Sequence, residues 1–316
     1  MPDIVTIGEA LIDLTQPGET SGYRSYAADP GGAPANVAVA AARLGAKTAF
    51  IGKVGQDAFG GILKETLREN RVDISAMYET TETPTTLAVV SVDPHGERSF
   101  AFYRSPGADT LLTGWEAIEG LQTLGETPAF FHFGSVSLTA DPSRSAVLEC
   151  ARHAKDSGVL LSYDPNYRAS LWTSRETALE QMKAPLGMCD IVKLAEEELE
   201  LLTGTDDPAE GSLQLYRTYH NDLILITLGA KGAFYRMGNT AGYVPGCRVQ
   251  VADTNGAGDT FLGAILSRLI PHADAAGLSL SSEQLEAALA CTRSGAISAM
   301  PRLEEVEAAR DQYPVI

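Results

Sequence analysis

The chain of 316 residues is short of positive charge: 24 lysines and arginines face 41 aspartates and glutamates, a formal net charge of −17. That balance argues against nucleic acid or an anionic membrane as a partner, because both are repelled by such a surface. No apolar run is long enough to span a bilayer. The N-terminus enters Ile4-Val5-Thr6-Ile7 with no basic stretch leading into an apolar one. Cysteine is also scarce. Cys150, Cys189, Cys247 and Cys291 are widely spaced, with no C-x-x-C pair and no Cys/His cluster, so no metal-binding pattern is present. They read as the reduced thiols of a cytoplasmic protein. No G-x-G-x-x-G follows the first strand, which disfavours a nicotinamide-dependent dehydrogenase. Linkers, low-complexity tracts and internal repeats are missing too, so one unit over 1–316 is expected.

What is present is an ordinary core-forming composition, 44% hydrophobic, arranged as short apolar runs that alternate with helix-period segments. The runs include Ile4–Ile7, Thr48–Ile51, Ala129–Phe133, Val159–Tyr163, Asp190–Leu194 and Leu223–Ile226. Nearly continuous apolar strands suit a parallel sheet covered on both faces. A helix over Pro34–Leu44 stops at Gly45, and another from Glu196 to Leu202 ends at Gly204. This βαβ rhythm predicts an α/β fold, a three-layer α/β/α sandwich with a mostly parallel central sheet. Two stretches, about 11–30 and 84–104, break the rhythm. The second reads as a hairpin turning at Asp93-Pro94-His95-Gly96. Both are expected to form a small β lid inserted in the single domain.

Two glycine-rich turns carry chemistry. In Asp253-Thr254-Asn255-Gly256-Ala257-Gly258-Asp259, a turn opens a helix whose apolar face is Phe261, Leu262, Ile265 and Leu269. Gly256 and Gly258 allow close backbone approach, and the amides at a helix start hold an anion. Asp259, in the first helical turn, is placed to accept a proton and to stay ionised in the field of the helix. Taken alone, the same residues are equally a capped helix start. The second turn, Gly31-Gly32-Ala33-Pro34-Ala35-Asn36, exposes backbone to a small polar ligand. Asn36 there offers both a donor and an acceptor to hydroxyls. By itself it can also be read as a turn before a capped helix.

Together these segments resemble the PfkB (ribokinase-like) carbohydrate kinases. That family carries Gly-Gly-x-x-x-Asn, then Ala/Arg-Leu-Gly, then Gly-x-Val-Gly-x-Asp, and near its C-terminus Asp-Thr-x-Gly-Ala-Gly-Asp. Here these are Gly31–Asn36, Ala42-Arg43-Leu44-Gly45, Gly52-Lys53-Val54-Gly55-Gln56-Asp57 and Asp253–Asp259. The resemblance implies ATP-dependent phosphoryl transfer to a sugar, with Asp259 as general base and the backbone of Gly256, Ala257 and Gly258 as the anion hole. It assigns Asp13, Gly31, Gly32 and Asn36 to sugar hydroxyls, and Thr227, Gly229 and Gly232 to the ATP-side loop. It implies Mg²⁺ organised indirectly through Glu198, with Lys193 nearby, and in some members a monovalent cation such as K⁺ where Asp253 falls. One departure stands out: Ala195 occupies the position of the amide in the family's Asn-x-x-Glu motif. The region 286–301 is compressed relative to the family, so adenine contacts are left unassigned.

Several segments look like fructokinases within the family: Gly8–Asp13, the full Gly-Gly-Ala-Pro-Ala-Asn-Val run, and Arg98–Arg104 followed by Pro106–Asp109. Asp164-Pro165-Asn166-Tyr167-Arg168 is shared with 2-keto-3-deoxygluconate kinases. Arg104 and Arg168 suit either a keto-acid carboxylate or the hydroxyls of a ketose. The expected reaction is transfer to the C6 hydroxyl of fructose. The alternatives are the keto-acid or a catalytically inactive sugar- or nucleotide-binding member of the fold. A homodimer paired through the lid is the expected assembly.

Overall fold

The computed structural model describes residues 1–15, 25–92, 98–125, 127–246 and 256–270. The expected strand Arg248–Val251, Asp253 and the 286–301 region lie outside them, as do Cys247 and Cys291. In chain order the elements begin β1 (Ile4–Ile7), β2 (Leu11–Thr15), β3 (Ala27–Gly31), α1 (Ala33–Arg43), β4 (Thr48–Gly55) and α2 (Ala58–Glu69). Next come β5 (Val72–Asp73), β6 (Met77–Thr80), β7 (Leu87–Val92), β8 (Arg98–Tyr103), α3 (Gly114–Thr123), β9 (Phe130–Gly134) and α4 (Ser143–Asp156). After these lie β10 (Leu160–Asp164), α5 (Arg175–Lys183), β11 (Ile191–Ala195), α6 (Glu196–Thr203) and α7 (Pro208–Tyr219). The series closes with β12 (Leu223–Thr227), β13 (Gly232–Met237), β14 (Thr240–Pro245) and α8 (Ala257–Leu269).

The main sheet has ten strands in the order β14-β13-β12-β11-β10-β9-β1-β4-β5, with β6 also pairing β4. From β5 to β12 the pairing is parallel; β13 and β14 are antiparallel additions. This is the mostly parallel α/β sandwich that the sequence predicts. One face packs Val5, Phe131, Phe133, Leu161, Tyr163 and Ile224 under α3, α4, α6 and α7. The other packs Ile4, Phe130, Ile191 and Leu225 under α1 and α8. Among the described residues no helix is long and apolar enough to cross a membrane. Cys150 and Cys189 are buried and free, and burial pushes the Cys150 thiol up to about 12.

The stretches that break the sequence rhythm form a second sheet of four strands, β3-β2-β7-β8. It joins the main body through the Gly31–Gly32 turn into α1 and through Thr85 ahead of β7. Thr85 is tied down by Asp57. That carboxylate accepts from Gly60 N–H at 2.8 Å as the N-cap of α2, and from Thr85 N–H and Oγ1, each at 2.8 Å. The aspartate of the Gly-x-Val-Gly-x-Asp segment is therefore a structural staple in this chain.

Helix α8 differs from its amphipathic sequence reading. Thr260, Gly263, Ala264 and Leu266 are buried along with the four residues of the expected apolar face. The reason is its position, packed against both the sheet and the neighbouring α1. At their crossing a side chain on Gly263 would place its Cβ 2.8 Å from Ala40 Cβ and 2.9 Å from the Val37 carbonyl oxygen. Only a residue without Cβ permits that approach. Gly263→Val should destabilise the protein by about 1–3 kcal/mol, the usual cost of overpacking a close-packed core, as measured by urea unfolding.

Candidate active site

The parallel strands end on one edge of the sheet, and the candidate residues gather there, as ligand sites do in open α/β sheets. A cavity at that edge is lined by Glu9, Leu11, Asp13, Gly32, Ala33, Asn36, Phe102, Val136, Asn166, Arg168, Gly256 and Asp259. The two glycine-rich turns, more than two hundred positions apart in the chain, thus form opposite walls of one space.

Gly32 precedes α1 with φ of 105°, and a Cβ there would lie 2.4 Å from the Glu9 carbonyl oxygen. Glycine is required on both counts. The turn aims Asn36, in the first turn of α1, across to the start of α8. Its Nδ2 donates to Asp259 Oδ2 at 2.7 Å, and its buried Oδ1 has no protein partner among the described residues. An unpaired buried acceptor is costly unless a ligand donor reaches it. Asp13, on β2, lines the same cavity, and its carboxylate lies over Gly31: a Cβ there would be 2.8 Å from Asp13 Oδ2.

Asp259 is 7% exposed and sits in the first turn of α8, whose N-cap Gly256 has φ of 71°. Burial raises its pKa above the ordinary aspartate value, and the Asp164 carboxylate adds to this. The Asn36 hydrogen bond and the charges of Lys193 and Arg168 act the other way. Burial and the neighbouring Asp164 charge thus act against the helix field that the sequence reading expects to keep it ionised. Lys193, on β11, pairs with Asp164 at 2.8 Å, and a Cβ on Gly258 would lie 2.8 Å from its Nζ. The ammonium therefore stands directly beside the 256–258 turn. Burial opposes its charge, but Asp164 and Glu198 hold its pKa above the usual lysine value.

Glu198 accepts from the Ala195 N–H at 2.8 Å and from the Tyr167 N–H at 2.7 Å. Burial raises its pKa, with the Asp164 charge contributing. Its carboxylate ties the end of β11 to the loop after β10, an arrangement that needs no side chain at position 195. Thr227 lies beside Ala195 in register across β11 and β12. Gly229 and Gly232 shape the following turn, where a Cβ on Gly232 would sit 2.1 Å from the Val244 carbonyl oxygen. Among the described residues no three Asp, Glu, His or Cys side chains converge as a metal cage.

The two arginines part company. Arg168 lines the cavity, donating to the Tyr167 carbonyl oxygen at 3.0 Å. Arg104 does not line it. Its guanidinium is occupied by Asp109 at 2.7 Å, Thr139 Oγ1 at 2.6 Å and the Val136 carbonyl oxygen at 3.0 Å. It fastens β8 to the turn after β9. Three residues enter that the sequence reading did not single out: Glu9, Asp164 and Asn166. Asn166 has φ of 51°, a left-handed conformation asparagine tolerates, and its Nδ2 lies 3.4 Å from Asp259 Oδ1. Asp164 ends β10 and Asn166 follows the next proline, and the segment Asp164–Arg168 shared with related kinases was their available signal.

With this geometry in view, the comparisons with known proteins agree closely. Residues 1–303 match the model of the pfkB family carbohydrate kinases. Fructokinase-1 of Zea mays is 42% identical over 314 residues, spanning 96% of this chain and 96% of that protein. Among solved structures, a fructokinase from Xylella fastidiosa with bound ATP is 33% identical, with a TM-score of 0.86 over 99% of both chains. A fructokinase from Vibrio cholerae O395 bound to fructose, ADP and calcium ion is 35% identical, with a TM-score of 0.84 over 97% of this chain and 98% of that one. A family model covering nearly the whole sequence, and a curated relative at this identity over nearly its full length, place the chain in the pfkB family of carbohydrate kinases.

Proposed function

We propose that this chain is an ATP-dependent fructokinase that transfers the γ-phosphoryl of ATP to the C6 hydroxyl of fructose, giving fructose 6-phosphate and ADP. One observation carries the residue assignment: Asp259, hydrogen-bonded to Asn36, lines the cavity where the Gly31–Asn36 wall meets the start of α8. Asp13, Gly31, Gly32 and the free Oδ1 of Asn36 hold sugar hydroxyls. Asp259 accepts the proton of the attacking hydroxyl. The amides of Gly256, Ala257 and Gly258, with the Lys193 ammonium beside them, hold charge on the transferring group. Thr227, Gly229 and Gly232 form the nucleotide-side turn.

Mg²⁺ fits this site as a phosphate-held ion: among the described residues there is no protein cage, and magnesium commonly keeps its waters and takes one or two carboxylates. Glu198 and Asp164 would meet those waters, and the ion would neutralise charge on the phosphates. K⁺ at Asp253 is part of the same reading and lies outside the described residues. So are a homodimer through the open edge of β8 and a cytoplasmic location.

The 2-keto-3-deoxygluconate alternative has Arg168 in its favour, since a guanidinium in the cavity can fork onto a carboxylate. Against it, Asp13 and Asp259 line the same cavity. Two acidic groups facing one arginine suit a neutral sugar better than an acid.

Asp259→Asn should lower kcat by two or more orders of magnitude in an assay that couples ADP release to fructose, and normal turnover would sink the assignment. In the wild type the base works deprotonated and its pKa is raised, so kcat should fall on acidification through a pKa above the ordinary aspartate value. An acid limb at or below that value would count against Asp259 as the titrating base. Direct competition between fructose and 2-keto-3-deoxygluconate should favour fructose by kcat/KM. Lys193→Met leaves Asp164 buried without its partner and should cost about 3–5 kcal/mol in urea unfolding, with much of the loss recovered when Asp164→Asn is added.

A further inference from the structure

Glu9 follows β1, is 2% exposed, and belongs to none of the residues given a role above. Gly32, at the N-cap of α1, has no side chain with which to cap the helix, so the first amides need an acceptor from elsewhere. Glu9 supplies it: Oε1 accepts from the Ala33 N–H at 3.2 Å, while Oε2 accepts from Ser137 Oγ at 3.0 Å. The carboxyl group therefore fixes the spacing between α1, which carries Asn36, and the turn after β9. It also lines the sugar cavity.

We propose that Glu9 is a positioning residue for the sugar, and that the sugar binds to its uncharged form, so that binding takes up a proton. The inference rests on the fructose reading above. The charged groups around Glu9 are Arg104 and Asp109 from the segment after β8, Asp13 on β2, Asp259 on α8 and Arg168 on the loop after β10. The backbone hydrogen bond, Arg104 and the Ser137 hydroxyl favour the charged form, while Asp109, paired with Arg104, opposes it. Asp13 and Asp259 line the same cavity. Burial is the largest effect and pushes the Glu9 carboxyl up to about 7. A neutral sugar seated against this wall removes the water that still stabilises the charge, which raises the pKa further. The uncharged carboxyl keeps both contacts, because its carbonyl oxygen still accepts from Ala33 N–H and the Ser137 hydroxyl can accept where it had donated.

The test is calorimetry of fructose binding to the full chain at pH 7.5 in buffers of different ionisation enthalpy, alongside KM against pH. The wild type should take up protons on binding. Its KM for fructose should rise with pH above about 7, by at most about tenfold per pH unit, while kcat does not follow. Glu9→Gln should bind fructose with neither proton uptake nor a rise of KM with pH. Glu9→Ala should bind more weakly at every pH, since Ala33 N–H and Ser137 lose their partner. Asp259→Asn should retain the uptake, which assigns it to Glu9 and not to the base. Fructose binding by the wild type without buffer dependence, or uptake that persists in Glu9→Gln, overturns the inference alone. No fructose binding by the wild type at any pH overturns the fructose reading and this one with it.

Discussion

The site depends on one crossing of helices. Gly263 lets α8 lie against Ala40 and the backbone of Val37 in α1, and each helix brings its N-terminus to the same edge of the sheet. Asn36 and Asp259 are then 2.7 Å apart although they belong to opposite halves of the chain. A hydrogen bond of that length leaves little freedom at either end, so an added methylene at the crossing is felt at the base. Both helices point their N-termini at the cavity region, which supplies positive potential in a chain with a net charge of −17.

A second constraint is electrostatic. Asp164 is fully buried, and Lys193 meets it while also standing beside Gly258 and near Glu198. One ammonium thus balances several carboxylates in a place with little water. Such a cluster is costly to assemble and is stabilised only while each member keeps its partner. At Ala195, where the family pattern has an amide, Glu198 is held in place by two backbone N–H groups.

Much of this was legible in the sequence. The apolar runs gave the parallel strands, because a strand covered on both faces has no polar alternation to hide it. The glycine turns and Asp259 declared themselves because few residue types tolerate such backbone. What stayed hidden depends on distance through space. Arg104 reads like a ligand for a substrate until Asp109 and Thr139 are seen to occupy it. Glu9 looks like a stray acid at the end of a strand until the N-terminus of α1 arrives from the far side of β3. The apolar stripe on α8 understated its burial, since small residues such as Gly263 and Ala264 carry no hydrophobic signal of their own.

The attachment of the four-stranded sheet has a consequence for the cavity. The sheet is held at the Gly32 turn, at the Thr85 staple on Asp57 and at Arg104, whose guanidinium ties the end of β8 to the turn after β9. Asp13 and Phe102 come from this sheet, whereas Asn36 and Asp259 come from helices of the main body. A ligand in the cavity would therefore sit on the seam between the two sheets, and the seam is stitched at three places.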